Sequence, residues 1–84
     1  MDETPYLKTA ISEVVDNQLQ ANDPPETKRT FERLISVGYS EKKAKELIGF
    51  VVTSEIFDVL KQQQPFNPER FVKALDRLPK LPRN

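Results

Sequence analysis

Apolar residues recur along this chain at three- and four-residue spacing in four blocks, separated by proline, glycine and small polar residues. That period stacks side chains on one face of a helix and does not fit a strand. In the first block Leu7, Ala10, Ile11, Val14, Val15 and Gln18 share a face, predicting a helix over residues 5–21 with Thr4 as N-cap and Pro5 in the first turn. Asn22-Asp23-Pro24-Pro25-Glu26 ends it and opens a second over 24–37, with Asp23 as N-cap, Pro24 at the first helical position and Glu26 completing a capping box. Its apolar residues are Phe31, Leu34 and Ile35, with Lys28, Arg29, Glu32 and Arg33 mostly on the other face, and Gly38 supplies a left-handed end. Ser40 caps a third helix over 41–63, where Ala44, Leu47, Ile48, Val51, Val52, Ile56 and Val59 keep the spacing. Asn67 caps a fourth over 68–78, Pro68 takes its first position, Phe66 staples onto Phe71, and Phe71, Val72, Leu75 and Leu78 form its apolar face. Short connections make the helices antiparallel neighbours in an all-α, four-helix bundle-like domain.

Gly49 interrupts the third helix at a cost of about 1 kcal/mol relative to alanine. Close approach of a neighbouring helix is the expected compensation.

Length and composition narrow the chemistry. Eighty-four residues form one small domain, residues 1–84, with 1–3 and 80–84 expected as flexible tails. There is no cysteine and no histidine. Thiolate nucleophiles, Ser-His and Cys-His triads and the usual zinc ligand sets are therefore excluded. No metal or cofactor is expected. The longest apolar run, Ile48 to Val52, is too short to span a bilayer, and the Met-Asp-Glu start is unlike a signal peptide. A soluble cytoplasmic protein is the expectation, with no membrane contact.

Charge sums to zero but is unevenly placed. Residues 1–21 carry one lysine against four acids (net −3), and residues 64–84 carry five basic residues against two acidic (net +3). Contact between the two ends of a closed bundle would neutralise both; a basic patch for a partner is the sharper reading. The zero sum argues against a general phosphate binder, so nucleic acid is not the expected partner. The three lysines of Glu41-Lys42-Lys43-Ala44-Lys45-Glu46 oppose the helix dipole and read as a solvated face.

Two constellations stand out. In the first, Gln18 is the polar residue on the first helix's apolar stripe and Glu55 sits near the middle of the third helix's. A Gln18–Glu55 hydrogen bond would satisfy both; with Asp16 and Glu46 they form a ligand or acid/base candidate set. In the second, Phe50 and Phe57 fall together on the third helix, nearly opposite its main stripe, with Ser54 between them. The favoured placement makes this the central helix, covered on both faces. The other leaves the rings exposed as a dimer or partner surface.

Two resemblances add to this. Phe31-Glu-Arg-Leu-Ile-Ser-Val-Gly-Tyr-Ser-Glu-Lys-Lys-Ala resembles the first helix, loop and second-helix start of ubiquitin-associated domains. In that family the loop forms an exposed apolar patch, matched here by Val37, Gly38 and Tyr39, so Tyr39 joins Phe50, Ser54 and Phe57 as an interface candidate. The match ends there, because the third helix runs on unbroken. The order Asp-Asn-Gln-Leu (16–19), Asn-Asp-Pro-Pro-Glu (22–26), Thr-Phe-Glu-Arg-Leu (30–34), Gly-Tyr-Ser (38–40), Lys-Ala-Lys-Glu-Leu-Ile-Gly (43–49) and Pro-Phe-Asn (65–67) resembles an uncharacterised bacterial family of small helical domains. That resemblance implies a bacterial protein with no assigned activity. It also implies histidines in relatives where this chain has Lys8, Ser12, Lys42 and Glu46.

The expectation is a non-catalytic structural or protein-interaction module, partnered by itself or another protein. The alternative is a metal- or small-ligand-binding protein using Asp16, Gln18, Glu46 and Glu55.

Overall fold

The computed structural model describes residues 5–82, with side chains from residue 9 onward. Thr4 as a cap, the side chains of Leu7 and Lys8, and residues 1–3 and 83–84 of the expected tails lie outside the described residues. Within them the chain folds as α1 (Pro5–Ala21), α2 (Pro25–Ser36), α3 (Glu41–Gln62) and α4 (Pro68–Arg77), with no strand.

The helix ends explain the boundaries. Asn22 adopts left-handed backbone (φ 52°) after α1. Its N–H donates to the Leu19 carbonyl and the Asp23 N–H to that of Gln18. Gly38 (φ 111°) does the same after α2, where its N–H donates to Ile35 and the Tyr39 N–H to Leu34. Both are paired C-terminal closures that satisfy orphan carbonyls, and only glycine or asparagine enters that backbone region cheaply. Ser40 Oγ accepts from the Lys43 N–H at 3.1 Å and Asn67 Oδ1 from the Arg70 N–H at 3.1 Å, both as read from sequence. The Phe66 and Phe71 rings meet at 5.7 Å between centroids, closing the staple.

The α2 start differs by one residue. Pro24, not Asp23, occupies the cap, Pro25 takes the first turn, and no side chain bonds to the cap. Pro25 disfavours helical backbone in the residue before it, so Pro24 stays extended (ψ 151°) at the cap, and a proline ring offers no side-chain acceptor.

The buried core comprises Val15 of α1, Leu34 of α2, five residues of α3 (Ala44, Leu47, Ile48, Val51, Val52), and Phe71, Leu75 and Leu78 of the α4 region. Helix α3 is central in that it supplies half of the core; it and α2 each contact the other three helices, whereas α1 and α4 make no contact among the described residues. The acidic first helix and the basic last one therefore lie apart, and the expected neutralising contact between them is absent there. Ile35, Val14 and Ile56, read as apolar-face residues, are exposed instead. The inward face of α2 is Thr27, Thr30 and Leu34, a stripe that a hydrophobic pattern under-weights.

Arg33 also departs from the sequence reading. Instead of pointing to solvent, its guanidinium donates to the carbonyls of Leu78 at 2.8 Å and Leu75 at 3.0 Å. It thereby satisfies the open end of α4 and ties α2 to it.

Gly49 is buried against α1. A Cβ built there would lie 3.2 Å from Ile11 Cγ2, so the close helix approach expected at this glycine is present.

Candidate functional site

Helix α3 carries apolar residues on two sides. Its inner side is the core stripe; Phe50 and Phe57 fall within about 20° of each other on the outer side, at 100° per residue. Phe50 is 51% exposed and Phe57 55%. The expectation that neighbouring helices cover these rings is corrected here. The side bearing Gly49 is taken by α1, and the side bearing Glu55 bonds to α4. The sector between the two is left open. Ser54 lies in it, half-buried between the rings, and Leu60 flanks it with 69% of its surface exposed. Tyr39, the fourth interface candidate, is half-buried against the core at the start of α3.

Beside Phe50 a groove of about 590 Å³ opens between α1 and α3. Ile11, Val15, Gly49 and Thr53 give it an apolar lining, edged by Asp16, Lys45 and Glu46. The two helices run antiparallel here, with Ile11 against Gly49 and, further along α1, Asp16 against Lys45. Gly49 and Ile11 meet at the floor of this groove, where α1 and α3 approach closely. Ser12, Lys42 and Glu46 line this same groove.

The four polar candidates do not form one site. Gln18 Oε1 accepts a 2.8 Å hydrogen bond from the buried Thr27 hydroxyl, not one from Glu55. The Gln18–Glu55 pair is thus replaced by two separate partnerships. Thr27 could have been suspected, since it falls one helical turn before Thr30 and two before Leu34. Glu55, 6% exposed, accepts from Arg70 Nε at 2.9 Å and Nη2 at 2.7 Å, and from the Asn67 N–H at 3.0 Å. Arg70 lies 3.6 Å from Asp58 as well. The Arg70 hydrogen bonds hold the Glu55 carboxyl below its ordinary value of 4.5, against the opposing effect of burial and with the help of the Asn67 N–H. Arg70 is correspondingly raised by its bonds to Glu55. Periodicity placed Glu55 correctly on the buried face but pointed to the wrong partner.

Asp16 and Glu46 do share the α1/α3 groove, each beside a lysine. Asp16 Oδ1 lies 3.0 Å from Lys45 Nζ, and Glu46 Oε1 lies 3.8 Å from Lys43 Nζ. The Asp16–Lys45 contact is an ion pair without hydrogen-bond alignment, and that buried oxygen has no hydrogen-bond partner. Among the described residues no three carboxylate, histidine or cysteine side chains converge on a common point.

A second groove, about 480 Å³, runs between α3 and α4 and along residues 80–82. Lys73, Arg77 and Lys80 line it, interleaved with Glu55, Asp58 and Glu69. Its charge is mixed, unlike the continuous basic track of a phosphate-backbone binder.

Comparison with protein-family models, curated proteins and solved structures gave no match. No helix among the described residues is long and apolar enough to cross a membrane. The geometry of α3 is therefore the main guide to function.

Proposed function

We propose that this chain is a non-catalytic protein-interaction module that works through the outer face of α3. One observation carries the reading: Phe50 and Phe57 stand on one sector of the central helix with about half of each residue's surface left open. Two aromatic rings flanking a small residue make an anchor-and-gap surface of the kind that concentrates binding energy in protein interfaces. A small domain with a lean core also gains more than a large one from burying such a patch against a partner.

Sedimentation equilibrium of the wild type and of Phe50→Ser/Phe57→Ser tests this. The expected result is concentration-dependent association of the wild type, lost in the double variant while its helix content is unchanged. A monomeric wild type together with an unfolded double variant would assign the rings to stability and overturn the reading.

A second reading, small-ligand binding in the α1/α3 groove, is supported by the Asp16 oxygen at its edge, which is ion-paired to Lys45 but accepts no hydrogen bond. A thermal-shift screen separates it from the first.

A further inference from the structure

The geometry points to a specific partner for that face: a second copy of this chain, packed antiparallel through α3 about a twofold axis between Thr53 and Ser54. This rests on the interaction reading above and deepens it by fixing partner and register. The argument starts from spacing. Phe50 and Phe57 are equidistant from that axis, and so are Glu46 and Lys61. All four lie on the open sector of α3, within about 60° of one another at 100° per residue. In an antiparallel pair each Phe57 falls level with Phe50 of the other copy, and each Lys61 level with the other copy's Glu46. The smaller Thr53 and Ser54 sit at the crossing, where two helices approach most closely.

Shape agrees with charge. A ring at position 57 of one copy, level with Phe50 of the other, arrives at the mouth of the groove floored by Gly49, Ile11 and Val15. The twofold operation keeps the α1 side of one copy against the α1 side of the other, so Leu60 falls along the same groove. Each copy thus offers one aromatic knob and one apolar hole, as an isologous contact requires. The wrong register is disfavoured as well: a parallel pairing in register would set Glu46 against Glu46 and Lys61 against Lys61.

The half-exposed rings (51% and 55%) and Leu60 (69%) give an apolar contact of roughly 300–400 Å² per copy, below the usual ~800 Å². Association should therefore be weak, with a dissociation constant on the order of 10–100 μM.

Charge reversal tests the register. In sedimentation equilibrium at low salt, Glu46→Lys and Lys61→Glu are each expected to weaken the dimer about tenfold, since two pairs become repulsive at once. The doubly reversed variant should return to within about twofold of wild type. Ser54→Cys, in a chain without cysteine, should form a disulfide-linked dimer on mild oxidation. A wild type monomeric to 500 μM would overturn both this inference and self-association. A dimer that ignores the single reversals, is not restored by the double one, or does not cross-link would overturn the register alone.

Discussion

Arg33 on α2 and the carbonyl of Leu78 beyond α4 are 45 residues apart in the chain and 2.8 Å apart in space. The same guanidinium reaches the Leu75 carbonyl at 3.0 Å. Helix α4 is short and ends at Arg77, where the Leu75 carbonyl accepts only one backbone N–H, that of Leu78, and the Leu78 carbonyl lies beyond the last turn. A planar fork with several donors can serve both of them together, and a single ammonium cannot do so in the same geometry. Arg33→Ala is therefore expected to cost about 1–2 kcal/mol, from charge-assisted bonds discounted for partial exposure. Arg33→Lys should recover less than half of that. Urea denaturation checks both, and equal stability of lysine and arginine at this position would show that charge alone matters.

Glu55 makes stability depend on pH in one direction. Its carboxyl is held below its ordinary value of 4.5 in the folded chain, chiefly by Arg70, so the folded state binds this proton less readily than the unfolded state. The contribution is complete above about pH 5 and is lost as pH falls through the folded-state value. With no histidine or cysteine in the sequence, no such side chain titrates between pH 5.5 and 7. The melting temperature should be flat there and fall below pH 4.5, with a shallower acid limb in Glu55→Gln. An acid limb unchanged by that substitution would place the titration elsewhere. Removal of Arg70 should be worse than removal of Glu55, because Arg70→Met strands a buried carboxylate whereas Glu55→Leu frees a side chain that can reach water.

The four helices were legible because their ends are written in residue types with one physical use each. Pro68, Ser40, Asn67 and Gly38 fix starts and stops to within a residue, and the double proline at 24–25 shifts the start of α2 by one. Burial was less legible where identity and environment part company. Thr27 and Thr30 are buried under α2 while Ile35 is exposed, because a helix's inward stripe is set by where its neighbours lie and not by its most apolar arc. The partner choices of Gln18, Glu55 and Arg33 were illegible for a related reason. Each is a long side chain satisfied by a group distant in sequence, and periodicity gives the face but not the facing residue. The open sector of α3 was visible as two possible placements; deciding between them needed the positions of α1 and α4.

The phenylalanines should separate cleanly by stability. Phe71 is 3% exposed and packs in the core, so Phe71→Ala should cost about 3–5 kcal/mol. Phe50→Ser and Phe57→Ser remove surface that is already half in water, and each should cost under about 1 kcal/mol. Denaturation at low micromolar protein, where association is negligible, measures this without contribution from any dimer. A loss of 3 kcal/mol at Phe50 or Phe57 would mean that the rings are held by intramolecular packing.

The ligand-binding alternative meets an electrostatic obstacle. Glu55 is committed to Arg70, and Gln18 to Thr27 in another part of the fold. That leaves Asp16 and Glu46, which face a groove also lined by Lys42 and Lys45. Cations at that distance raise the energy of a bound divalent ion and favour a neutral or zwitterionic ligand instead. A thermal-shift screen with calcium, magnesium, manganese and zinc should therefore give no stabilisation. A ligand at 100 times its dissociation constant adds about 2.7 kcal/mol, several degrees for a domain of this size, so real binding would be seen. Should any ion or metabolite raise the melting temperature that far, Asp16→Asn and Glu46→Gln would have to abolish the shift, and Glu55→Gln leave it intact, for the α1/α3 groove to be its site.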